Sequence, residues 1–221
     1  MNRSLPASMS LGFTAGYVDT VGFVALFGLF TAHVTGNFVL IGSELANPTH
    51  GVLIKLLAFP AFIAAVASSR LLALQVAGRR ASVARALVAA QWLLLAACLA
   101  CGLQARPVLD PQGDWALATG MFAAAAMGVQ NAAGRLAWST LAPTTVMTGN
   151  VTQLVIDIVD LLRAGGADPA LRERIGKFFW PVAAFAAGAI SGAFAYHFVS
   201  FWALALPLLV LAVPFALGDR A

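Results

Sequence analysis

The sequence predicts an all-α polytopic membrane protein. Six transmembrane helices form two inverted three-helix repeats, each with a short re-entrant or interfacial helix after a T-G-N motif. Three observations predict this. The 221 residues are 61% hydrophobic and 10% charged, with a mean hydropathy of +0.87, whereas a soluble domain is nearer half apolar and a quarter charged. Apolar segments of about the ~20 residues that cross ~30 Å of hydrocarbon recur along the chain. Finally, "HVTGNFVLIGSEL" (33–45) and "VMTGNVTQLVIDI" (146–158) echo each other, each placing a carboxylate seven residues after its asparagine.

The spans are read at about 11–30, 55–77, 84–104, 115–138, 177–197 and 200–217, joined by short connections in a single integral membrane domain, 1–221. Helices are expected because backbone groups in lipid must be satisfied within the segment. No alternating barrel pattern appears. The apolar run after Arg3 lacks a small-residue cleavage site, so a retained first helix is expected rather than a signal peptide.

Charge sets the orientation. The net charge is +4. With six spans and both termini inside, Arg3, Arg79, Arg80, Arg85, Arg135, Arg163, Arg172, Arg174, Lys177 and Arg220 fall on or near the inner side. Only Lys55 and Arg106 fall outside, and Arg70 snorkels from within a span. This bias explains the basic balance without nucleic acid. Crossing by 34–46 would reverse the Arg79/Arg80/Arg85 cluster, so that segment is expected not to span.

The two T-G-N copies are 113 residues apart, an offset that also pairs Glu44 with Asp157. "AGYVD" (15–19) resembles "MGVQN" (127–131) with a one-residue slip, pairing Gly16 with Gly128 and Asp19 with Asn131. Lys55 and Pro60 resemble Lys177 and Pro181. Matches in this order indicate an internal duplication, with repeat one at about 10–104 and repeat two at about 115–217. Three spans per repeat invert the second copy, as in many secondary transporters. "FTAGYVDTVGFVALFGLFTAHVTGNFVLIG" and "GVQNAAGRLAWSTLAPTTVMTGNVTQLVIDIVDLL" resemble the YoaK-like family of bacterial inner-membrane proteins, a domain-of-unknown-function family, over roughly 10–217. The resemblance implies a polytopic protein of a bacterial cytoplasmic membrane and supplies no reaction or substrate.

The polar positions carry the functional expectation. Asp19 lies about 12 Å into the first apolar run at 1.5 Å per residue, where an ionised group is costly unless paired or hydrated. Its counterpart Asn131 is neutral, with Gln130 beside it. Arg135 shares a face with Asn131 and either snorkels or pairs with Asp19 or a substrate carboxylate. Thr35, Gly36, Asn37 and Thr148, Gly149, Asn150 are expected to begin helices near Asn37 and Asn150 after an extended approach, leaving free N–H groups for an anion. Two such starts meeting at mid-depth would form a site. The competing reading is an interfacial amphipathic helix, since Asn150, Gln153, Asp157 and Asp160 form one polar stripe. His33 occurs only in the first copy. "GFTAG" (12–16) and "GAISG" (188–192) predict close helix packing.

No G-x-S-x-G, H-E-x-x-H or Walker A motif is present. The pair Cys98 and Cys101 reads as packing, and the histidines lack a metal-ligand set, so no metal and no cofactor are expected. The function expected is a small secondary transporter or channel for a small polar solute or anion, not an enzyme. Its site would draw on Asp19, His33, Thr35, Gly36, Asn37, Glu44, Gln130, Asn131, Arg135, Thr148, Gly149, Asn150 and Asp157. The alternatives are a non-transporting membrane structural or interaction protein, or a lipid-modifying membrane enzyme. The expected partners are the lipid bilayer and a second copy of the chain.

Overall fold

A computed structural model describes residues 4–47, 51–77 and 82–220. Arg3, Arg79, Arg80 and His50, and the side chain of Arg220, lie outside what is described. Every regular element among the described residues is helical: α1 (Ser4–Ala25), α2 (Gly36–Ala46), α3 (Val52–Ala77), α4 (Val83–Gln104), α5 (Asp114–Leu136), α6 (Met147–Arg163) and α7 (Pro169–Val199). A 3₁₀ turn (Ser200–Leu204), α8 (Ala205–Val210), α9 (Ala212–Leu217) and a final 3₁₀ turn follow.

Three helical stretches are long and apolar enough to cross a membrane: Val52–Ala77, Val83–Gln104 and Pro169–Leu217. They suggest a membrane protein. Helices α1 and α5 have 22 and 23 residues but carry more small and polar side chains. Their position explains that composition. The most extensive contacts in the fold are α1 with α7, α4 with α5, and α3 with α5. Both helices are thus enclosed by apolar neighbours, and enclosed faces need closeness of approach more than hydropathy.

The glycine pairs provide that closeness. A Cβ on Gly12 would lie 2.8 Å from the carbonyl oxygen of Pro181, and one on Gly192 would lie 2.8 Å from that of Tyr17. Cβ atoms on Gly16 and Gly188 would collide with the carbonyl oxygens of Phe185 and Phe13. The two G-x-x-x-G stretches therefore face each other across the α1/α7 contact. On the other side, a Cβ on Gly128 of α5 would lie 2.8 Å from the oxygen of Phe62 in α3.

Local chemistry sets several helix ends. Asp168 caps α7 by accepting from Ala170 and Leu171 N–H, with Pro169 at the first helical position. Gly165 and Gly166 take positive φ and close α6, with Gly166 N–H bonded to Leu161 O at 2.8 Å.

Some boundaries differ from the sequence expectation. The first helix stops at Ala25 rather than 30, because Phe27 and Gly28 adopt φ of 55° and 78°. Helix α7 begins at Pro169, eight residues before 177. The single helix expected at 200–217 is broken into short pieces. Pro207 and Pro214 each remove a backbone donor there, so the hydrogen-bond ladder cannot continue unbroken.

Candidate functional site

The T-G-N asparagines are loop clamps rather than helix caps. Helix α2 starts at Gly36 and α6 at Met147, with Thr35 and Val146 in the cap positions and no side-chain cap bond at either. Asn37 and Asn150 lie inside the first turns, almost wholly buried. The Asn37 side chain reaches back seven residues. Its Oδ1 accepts from Phe30 N–H at 2.9 Å and its Nδ2 donates to Phe30 O at 2.8 Å. The Asn150 Nδ2 donates to Pro143 O at 2.6 Å, also seven residues back. Proline has no N–H, so the second clamp has one strand fewer.

The residue one clamp further in follows the same plan. Asp19 Oδ1 accepts from Thr31 N–H (2.7 Å), Ala32 N–H (2.8 Å) and the Thr31 hydroxyl (3.3 Å). Asp19 Oδ2 lies 2.7 Å from His33 Nδ1. These partners can all donate, so a carboxylate meets them entirely as acceptor. Asn131 accepts from the Thr145 hydroxyl at 2.6 Å and donates to Met127 O. The carboxylate beside His33 pushes the imidazole pKa above its ordinary 6.5, chiefly through that hydrogen bond and against the opposing effect of burial.

Asp19 stands six residues before the end of α1, about 9 Å along the axis. The chain therefore leaves α1, turns at 26–28 and folds back beside it. The expected extended approach over Phe30–Gly36 is not formed, because Asp19 and Asn37 bind its backbone into bends. The N–H groups of Gly36, Asn37 and Phe38 bond to His33, Val34 and Thr35 carbonyls. They are not free for an anion.

The two helix starts do not meet. Helix α2 packs on α3 and α6 on α7. The first loop reaches α5 near Gly120, whose Cβ would lie 2.8 Å from Leu29. The second loop lies at the other end of α5: Gln130 Nε2 donates to Thr144 Oγ1 (3.1 Å) and to Leu11 O (2.8 Å).

The carboxylates two turns into α2 and α6 hold further cations. Lys55 is 0% exposed. Its Nζ donates to Phe27 O (2.6 Å), Glu44 Oε1 (2.7 Å) and Gly51 O (3.3 Å), using all three donors. Asp157, also 0% exposed, accepts from Gln153 Nε2 (2.8 Å) and Arg174 Nη2 (2.6 Å). The counterpart of Lys55 is thus Arg174 and not Lys177. Lys177 lies instead over the Phe178 ring. Arg174 is chosen because it is one turn nearer the N-terminus of α7, level with Asp157.

Helices α2 and α6 each turn an asparagine and a carboxylate inward, while Ser43, Thr152 and Asp160 are exposed. Asn37, Ile41 and Glu44 line the inner side of α2, while Val39 is 76% exposed. On α6, Asn150 and Asp157 are buried while Leu162 is 72% exposed. Thr35, Thr148 and Gly149 are on the outside, so only the asparagine of each T-G-N points into the protein.

A cavity of about 130 Å³ with mixed polar and apolar walls opens beside the second loop. Gln130, Asn131, Arg135, Ser139, Thr144 and Thr145 line it together with Leu11, Trp138 and Val146. Gln130 Oε1 accepts from Gln91 Nε2 at 2.7 Å, so a buried amide chain runs from α4 to this wall. Arg135 lines this cavity, while Asp19 is paired with His33. Asp19 of α1, His33 of the first loop, and Asn37 and Glu44 of α2 do not line the cavity. Gln91, Ser139, Thr144 and Thr145 were not expected as site residues. A lone glutamine within "LVAAQWLLL" was the available signal for the first of them.

The helical fold and its three candidate spans suggest a membrane protein, with a small cavity of mixed lining open beside the second loop. The chain belongs to the family described as "Protein of unknown function (DUF1275)", whose match covers residues 7–217. Neither the curated proteins nor the solved structures contain a match to it.

Proposed function

We propose that this chain is a small secondary transporter or channel for a small polar solute or anion. In this reading it lies in a bacterial cytoplasmic membrane, as the resemblance to the YoaK-like proteins implies. It has six spans as two inverted repeats and both termini inside. Two features support the architecture. The contacts are exchanged between halves, α1 against α7 and α5 against α3. The clamps also recur at one offset, since Phe30 and Pro143 are 113 residues apart, like Asn37 and Asn150. The outward apolar faces of α2 and α6 suit contact with lipid rather than water. Asn150 and Asp157 face the protein, where an interfacial helix would turn its polar stripe to water.

The observation that carries the function is the cavity lined by Gln130, Asn131, Arg135 and Thr145. Its ~130 Å³ is well below the ~300–1,000 Å³ of drug-sized pockets, which limits the solute to a few heavy atoms. The test is flux in proteoliposomes across a panel of small polar solutes and anions. The expected result is flux above protein-free vesicles that falls in Thr145→Val and Arg135→Gln. Panel-wide absence of flux, or full retention in both variants, refutes the reading.

A second reading, a non-transporting structural protein, has one observation in its favour. The Asp19, Asn37 and Asn150 side chains are engaged in internal hydrogen bonds. It predicts loss of stability in variants of those residues, with no solute flux in the wild type.

A further inference from the structure

We propose that the cavity between the start of α1, residues 140–142 and the N-terminal part of α7 holds the headgroup of a phosphatidylethanolamine lipid, with Glu173 on its ammonium and Lys177 on its phosphate. This site is separate from the solute cavity, with which it shares only Leu141 and Ala142.

The cavity measures about 220 Å³. One face of α7 lines it through Glu173, Gly176, Lys177 and Trp180, at the spacing of successive helical turns. Glu173 precedes Lys177 by four residues, the order and distance that favour an ion pair along a helix. Yet among the described residues neither of these exposed side chains forms one. Lys177 Nζ stands instead 5.9 Å from the centroid of the Phe178 ring. Gly176 lies between the two charges, and a Cβ there would meet nothing within 4 Å. The gap is thus bounded by one charge of each sign, with room left between them. Across it stands Ser8 of α1, 4% exposed, whose buried hydroxyl has no hydrogen-bond partner. A ligand that carries both charges suits this lining. A simple anion would meet Glu173, and a simple cation would meet Lys177.

The level of the cavity points to a lipid. Lys177 is the last charged residue of α7, since residues 178–199 contain no Asp, Glu, Lys or Arg. On the facing helix, residues 5–18 are also uncharged. The cavity therefore sits where the charge of α7 ends and its apolar length begins, the level of headgroups in a bilayer. Trp180, 44% exposed, stands at this height, where tryptophan is enriched in membrane proteins. Leu5 and Leu141 complete the wall, so an apolar portion of the ligand also finds contact.

The walls select the type of ammonium as well. A carboxylate accepts from the N–H donors of a primary ammonium. A quaternary ammonium is held by a cage of aromatic faces, and Trp180 is the only ring among the residues lining this cavity.

The experiment is native mass spectrometry of the full chain in detergent, with equimolar dioleoyl phosphatidylethanolamine, phosphatidylcholine and phosphatidylglycerol. The expected result is a bound lipid, with phosphatidylethanolamine favoured roughly fivefold or more over each of the others, about the contribution of one hydrogen bond to a charged group. Glu173→Gln should remove that preference. Gly176→Leu, which places a side chain in the gap, should abolish it too, with the circular dichroism spectrum of the wild type in both variants. The exposed Arg163→Gln, outside the cavity, should leave the preference intact. Equal retention of the three lipids, or a preference for phosphatidylglycerol, overturns the proposal. A preference undiminished in both Glu173→Gln and Gly176→Leu overturns the placement of the site. Binding of soluble O-phosphoethanolamine as tight as that of the lipid overturns the lipid as the source of the headgroup.

Discussion

The two asparagine clamps differ by one hydrogen bond, and that difference can be measured. Asn37 satisfies both the N–H and the C=O of Phe30. Asn150 satisfies only the C=O of Pro143. Truncation to alanine leaves those backbone groups without the partner they have now, and a stranded buried group costs ~1–3 kcal/mol. Asn37→Ala should therefore cost about 2–4 kcal/mol and Asn150→Ala about 1–2 kcal/mol. The assay is reversible unfolding in mixed micelles by denaturing detergent, read by circular dichroism. A further variant isolates the cause. Pro143→Ala returns an N–H to the position that corresponds to Phe30, so Asn150→Ala should cost more in that background than in the wild type. Equal costs for the two single variants would remove the clamp argument, as would an unchanged cost of Asn150→Ala beside Pro143→Ala.

The other predictions concern the charged clamps. Glu44→Ala leaves Lys55 buried with only carbonyl partners and should destabilise by about 3 kcal/mol. Adding Lys55→Met should recover part of that loss, whereas strict additivity within ~0.5 kcal/mol would show that the two residues do not interact. Asp19 beside it raises the pKa of His33 in the folded protein, chiefly through their hydrogen bond. A raised histidine pKa adds stability that is full below the unfolded value of about 6.5 and is lost as pH rises through the folded value. Wild-type Tm should accordingly decline across that window, and the decline should flatten in Asp19→Asn. An identical pH profile in both proteins would refute the pairing.

The sequence made the helical class legible because apolar composition acts over whole segments. The close α1/α7 approach was legible from Gly12, Gly16, Gly188 and Gly192, because a missing Cβ has one common use between packed helices. The pairing of positions 113 apart was legible because Asn37 and Asn150 do the same job on equivalent backbone. The job itself was not. An asparagine next to a glycine before an apolar run has the same local signature whether it caps its own helix or reaches back to a loop. The choice depends on where Phe30 and Pro143 return in space, which only tertiary packing sets. The repeat pairing of Lys177 with Lys55 followed order along the chain, while the ion pair with Asp157 falls to Arg174 by its height on the neighbouring helix.

The polar stripe of α6 shows why composition along one helix could not decide its surroundings. Asn150, Gln153, Asp157 and Asp160 recur at helical spacing in any environment. A water-facing stripe would leave Asp157 hydrated. In the structure Asp157 is instead 0% exposed and Arg174, itself 52% exposed on its side chain, reaches in to it. The lysine of the first half does the opposite, since Lys55 is enclosed with its carboxylate. One half therefore buries its cation and turns His33 of its loop onto Asp19. The other half keeps its cation at the surface and leaves a cavity at Arg135. Both halves use the same clamps, so the difference lies in side-chain volume at positions 33 and 146 and in the reach of arginine over lysine. Those few side chains, rather than the repeated T-G-N, distinguish the surroundings of the two loops.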